Sequence, residues 1–135
     1  MIDIENQVFN LIALKVRSEH GSDLFVAGEY VRVPASFPAV TIEERANSVY
    51  ARSQDSGSLE NHARVMYEVN VYSNNTVGKK RQCKDILSTI DDEFKSLGFT
   101  REMSNSILNL EDATIHRMVA RYTAVVSKDH RIYRR

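Results

Sequence analysis

The sequence predicts an α+β fold, a mixed or mainly antiparallel sheet with two helices packed on one face. Three observations carry this. An apolar stripe of helical period stands near the start of the chain, and a second one is centred near residue 88. Between and after them lie stretches in which apolar and polar residues alternate with the period of a strand. These stretches neighbour one another across short turn signals, which favours hairpin-type pairing over parallel crossovers.

The first helix is expected over "DIENQVFNLIALKVRSEHG", where Ile4, Val8, Leu11 and Ile12 share a face that Phe9, Ala13 and Val16 widen. Asp3 is the expected N-cap, and Gly21 lies just past the expected end. Short extended pieces follow in "DLFVAGEYVRV" and "FPAVTIEER". Gly28 marks a turn between Val26 and Tyr30, and Pro38 fits the first residue of a strand in which Val40 and Ile42 share a face. Residues 53–61, "SQDSGSLEN", read as a polar loop.

"HARVMYEVNVY" carries the clearest strand pattern. Ala63, Val65, Tyr67, Val69 and Val71 point one way, toward a core. Arg64, Met66, Glu68, Asn70 and Tyr72 point the other way, toward a partly wet face. The second helix is expected from about Thr76 to Leu97, because Cys83, Ile86, Leu87, Ile90, Phe94 and Leu97 recur at intervals of three or four, and Gly98 supplies the stop. Two more extended regions close the chain, "FTREMS" and "TIHRMVARYTAVVS". In the second, Met118, Ala120, Tyr122, Ala124 and Val126 share a face opposite Arg117 and Arg121.

The 135 residues fit one domain, 1–135, with no internal repeat or dividing linker. Eighteen basic residues balance eighteen acidic ones. That balance lacks the basic excess of a dedicated nucleic-acid binder, and it suits a protein that assembles. One cysteine, Cys83, leaves no internal disulfide or multi-cysteine zinc site. The opening "MIDIENQVFN" has no signal-peptide pattern, and no apolar run approaches ~18 residues, so a soluble chain in a reducing compartment is expected.

No catalytic constellation stands out. "VYSNNTVGKKRQC" places Gly78, Lys79 and Lys80 at a helix mouth, but a phosphate-binding P-loop needs a glycine five residues earlier and a hydroxyl after the lysine. Ser73 and Lys80 occupy those positions, so the segment is read as a turn. Cys83 sits on the apolar stripe and is read as a small core residue. His20, His62, His116 and His130 form no ligand pair, and Asp91 and Asp92 are read as a solvated helix face. No enzyme activity, metal or cofactor is expected.

The arrangement as a whole resembles the tail terminator, or tail completion, proteins of long-tailed bacteriophages. The likeness runs through the N-terminal helix, "FPAVTIEE", the polar loop, the strand ending "VYSN", the helix ending "LGF" and the strand "HRMVARYTAVV". It covers essentially the whole chain. It implies a virion protein, assembled in the host cytoplasm, that forms a hexameric homo-oligomeric ring on the head-proximal end of the tail. Such a ring stops polymerisation of the major tail tube protein and offers a surface to the head–tail connector or neck protein. DNA passes through it only as cargo, and no membrane is involved.

On that reading, charge and loop arguments nominate Arg52, Gln54, Asp55 and Glu60 in the polar loop as assembly-interface residues. Lys128, Arg131, Arg134 and Arg135 in the basic tail join them. The rival expectations are a head-completion ring of the neck and, from another class, a small enzyme or ligand-binding module with a dispersed site.

Overall fold

In the computed structural model, residues 1–29, 31, 34–49, 62–107, 113–129 and 132–133 are described. Helix α1 (Glu5–His20) leads to a short strand β1 (Phe25–Ala27), then β2 (Ala39–Val49) and β3 (His62–Ser73). Helix α2 (Lys79–Ser96) follows, then β4 (Thr100–Ile107), β5 (His116–Ser127) and β6 (Ile132–Tyr133). The sheet order is β1-β2-β3-β5-β4, with β6 also paired to β5. Among the described strands only β1 with β2 is parallel; the other described pairs are antiparallel, so the sheet is mixed. The α+β architecture read from the sequence is the one observed.

Beneath the two helices the sheet face is apolar. Val40 and Ile42 of β2, Val65, Tyr67, Val69 and Val71 of β3, and Ala120, Tyr122 and Val126 of β5 are buried. They form one core with Val8, Ile12 and Val16 of α1 and Cys83, Ile86, Ile90 and Phe94 of α2. Each such aliphatic or aromatic side chain contributes about 1.5–3 kcal/mol by leaving water. At the centre, the rings of Phe94 and Tyr122 stack with centroids 4.2 Å apart and planes at 8°. Phe99 meets Phe94 edge-on at 5.1 Å and Tyr67 at 5.6 Å. Glu19 and His20 at the end of α1 both bond the Thr89 hydroxyl, which ties the two helices together.

Several local expectations are corrected. Ile4, not Asp3, is the N-cap of α1, and it is buried; Asp3 stands one residue further out and its Oδ1 accepts the Glu5 N–H at 3.0 Å. Leu11 is 45% exposed, because α1 turns Val8, Ile12 and Val16 inward and leaves Leu11 and Leu14 on the rim. Helix α2 starts at Lys79 rather than Thr76, since Gly78 takes a left-handed φ of 78°. Ahead of it, Asn75 Oδ1 accepts the Val77 N–H, and Ser73 Oγ bonds both the Asn75 N–H and Gln82. The segment is a turn built by short polar side chains.

On the second face of β3, Arg64 is exposed as expected, but Asn70 and Tyr72 are buried. Arg117 accounts for part of this: its Nε donates to Asn70 Oδ1 at 2.9 Å, and its guanidinium lies 5.6 Å over the Tyr72 ring. The basic tail also turns back after Lys128 and Asp129, so that Ile132 pairs with Val126 and packs on the core.

Candidate assembly surface

Strand β4 leaves the shelter of the helices. Among the described strands it is the last in the order at its side of the sheet, and none of its eight residues is buried. α2 covers β3 and β5, and beyond it the helix-side residues of β4 are Arg101, Ser104 and Ser106, in register with Tyr122, Ala120 and Met118. A small groove of about 190 Å³ remains between strand and helix, with Lys84, Leu87, Asp91 and Arg101 among its walls. An edge strand of this kind presents backbone donors and acceptors on its outer side. Glu102 bulges out between Arg101 and Met103 and interrupts the register near the strand's start.

The groove floor corrects the reading of Asp91. Asp92 is exposed, as expected of a solvated pair, but Asp91 is only 7% exposed. Its Oδ1 accepts the Tyr122 hydroxyl at 3.0 Å and Arg101 Nη1 at 3.1 Å, and Lys95 Nζ lies 3.1 Å from Oδ2. Burial, and then the adjacent Asp91 carboxylate, raise the Tyr122 phenol far above its ordinary range, so it stays a proton donor. The trio pins β4 and β5 to α2. Tyr122 and Arg101 come from other elements, and neighbouring positions on the helix give no signal of them.

Where β4 ends and β5 begins, positive charge gathers. Lys79, Lys80 and Lys84 project from the first turns of α2, which contain no acidic residue at their start. His116 stands beside them: its carbonyl lies 3.4 Å from Cys83 Sγ, one residue before Lys84. Burial, followed by the three lysines, lowers the His116 pKa and favours neutral imidazole. Its Nε2 is 3.4 Å from Ser106 Oγ. That contact is long for a nucleophile and its base, and among the described residues no carboxylate bonds the ring to orient it. Cys83 is buried and its thiol is pushed up to about 12, which suits packing rather than nucleophilic attack.

The opposite edge of the sheet carries the other sign. Around a cleft of about 480 Å³ stand Glu5, Asn6, Phe9, Gly28 and Glu29. Glu5 Oε2 accepts the Glu44 N–H at 3.1 Å, and the Tyr67 hydroxyl reaches Glu44 Oε1 at 3.2 Å. Burial raises the Glu44 carboxyl, and the nearby Glu5 and Asp3 charges raise it further.

The face away from the helices is laced by ion pairs that run from strand to strand. Glu68 of β3 meets Arg45 of β2 at 3.4 Å and Arg121 of β5 at 3.4 Å. Glu102 of β4 meets Arg64 at 3.7 Å and accepts the Thr123 hydroxyl at 2.7 Å. These half-exposed pairs cover the sheet with polar groups at little net gain in stability.

Of the residues nominated from sequence, Lys128 is exposed in the turn after β5. Arg52, Gln54, Asp55, Glu60, Arg131, Arg134 and Arg135 lie outside the described residues. The sequence reading missed the β4 edge and the two charged rims. The polar run "TREMSNSI" was the available signal, since it has no apolar face to bury. Among the described residues no group of His, Cys, Asp and Glu is placed to hold a metal ion, and no helix is long and apolar enough to cross a membrane. The sequence matches no protein-family model, and no curated protein is significantly similar to it.

Proposed function

We propose that the protein is a tail terminator of a long-tailed bacteriophage, a ring-forming subunit that caps the head-proximal end of the tail tube and offers the surface joined by the head. The observation that supports this best is the β4 edge. It is an eight-residue strand without burial at the margin of a well-packed, helix-backed sheet, with charges of opposite sign at the two sheet margins. A subunit with a rigid core and two dissimilar open edges is suited to repeating side by side around a ring. The role asks for assembly and not for chemistry, so the protein acts by the surface it presents.

The test is tube-length control. The chain is co-expressed with a major tail tube protein, and the products are imaged by cryo-electron microscopy. Tubes of limited length, each carrying a ring of this chain at one end, are the expected result. Tubes that grow without limit and carry none of it would remove the proposal.

A further inference from the structure

We infer that copies of this chain dock head to tail through opposite sheet edges, the cationic α2–β4 rim of one copy against the acidic α1–β1 rim of the next. This rests on the ring reading and specifies its contact: the partner of the β4 edge is a second copy of the same chain.

Cross-strand register supports the geometry. Ile42 pairs with Val69, Val69 with Ala120 and Ala120 with Ser104. One row therefore begins at the acidic cleft, where Ile42 lies with Glu5 and Glu29, and ends at the cationic groove, where Ser104 lies with Lys84. The acidic cleft and the groove beside Lys84 thus share one row across the sheet, while Lys79 and Lys80 stand further along, beside His116. Two further rows join β1 to β4, from Ala27 through Thr41, Asn70 and Val119 to Asn105, and from Phe25 through Ala39, Tyr72 and Arg117 to Ile107.

Strand direction is compatible as well. β1 is parallel to β2, and three antiparallel steps then lead to β4, so β4 runs antiparallel to β1. A copy displaced sideways by one sheet width sets its β1 beside the neighbour's β4 in the orientation that antiparallel ladders use. Each is the last strand at its margin among the described strands.

Charge then selects the partner. Lys79, Lys80 and Lys84 make no ion pair among the described residues, nor does Glu29 on the other rim. The chain as a whole is neutral, 18 charges of each sign, so complementarity between copies comes from segregation and not from excess. The contact joins unlike patches, which makes it heterologous, the kind that closes into a ring when its rotation allows.

Two charge-reversed chains test this. Asn6→Lys with Glu29→Lys makes both rims cationic; Lys80→Glu with Lys84→Glu makes both acidic. All four positions are solvent-facing or cleft-lining, and circular dichroism checks the fold, with E29K and K84E alone as the milder pair if a double variant misfolds. Sedimentation should show wild-type association that weakens with salt, and roughly 100-fold weaker self-association of each variant. An equimolar mixture of the two should recover closed particles, with variants alternating.

A mixture that stays monomeric, or variants that associate as wild type does, overturns the edge contact while leaving a ring built by another surface. A wild-type chain monomeric at every concentration also overturns it, and the tube-length experiment then decides the capping role independently.

Discussion

From Arg117 to Thr123, strand β5 is flanked by β3 and β4, which differ in nearly everything but their pairing. In the row that holds Ala120, Val69 on one side is fully buried, while Ser104 on the other is exposed, although both point toward the helices. The backbone ladder continues from one to the other; the helical layer does not. α2 ends the core above β5, and the residues follow suit, with valine and tyrosine beneath the helix and serine and arginine beyond it. Burial is concentrated under the helices, and the β4 margin has no helical cover.

That contrast can be broken most forcefully at Phe94. Phe94→Ala removes the stack on Tyr122 and the edge contact with Phe99, and should cost about 3–5 kcal/mol in chemical denaturation. A cost below about 1 kcal/mol would mean that the aromatic cluster is not the centre of the core.

Asp91 stands at the border between the two regions. Asp91→Ala leaves the buried Tyr122 hydroxyl and Arg101 without their acceptor, and should cost about 1–3 kcal/mol, more if Arg101 finds no water. Its neighbour Asp92, being exposed, should tolerate alanine within about 0.5 kcal/mol. Equal effects at the two positions would return Asp91 to the solvent.

The acidic rim gives a pH signature. Glu44 has a raised carboxyl pKa in the fold, so the folded state holds its proton more firmly than the unfolded state does. Its contribution is fully favourable below the ordinary value of 4.5 and is lost as pH rises through the higher folded value. Glu44→Gln should therefore flatten the fall in stability just above pH 4.5, while its amide oxygen still accepts the Tyr67 hydroxyl. An unchanged profile would show that Glu44 ionises as freely as in the unfolded chain.

The smallest effect on stability is expected at the edge itself. Ser104→Glu, on a strand with no buried residue, should shift stability by no more than about 0.5 kcal/mol. It should nonetheless weaken association, by setting a negative charge beside Lys84 and Arg101 on the cationic edge. A large loss of stability would mean that β4 belongs to the core.

Much of this division was legible in the sequence. The stripe from Cys83 to Phe94 and the alternation from Ala63 to Val71 specified which faces would be buried, and Gly98 stops α2 where it was expected to. What escaped was long-range. Asp91 looks solvated beside Asp92 until Tyr122 and Arg101 are folded against it, and nothing local announces them. Asn70 was assigned to a wet face because alternation reports only direction; Arg117, 47 positions away, helps to bury it. Strand order decided the rest, since only order puts the lysines of α2 and the glutamates near β1 at opposite margins. The nominated loop and tail charges, apart from Lys128, fall outside the described residues.

The central claim, that this chain is a ring subunit of a tail, is tested most directly by solution mass across a wide concentration range, with electron microscopy of the same samples and of samples mixed with tail tubes. The account predicts closed hexameric rings with an open centre, free or seated on tube ends. A chain that stays monomeric both alone and in the presence of tubes would contradict it.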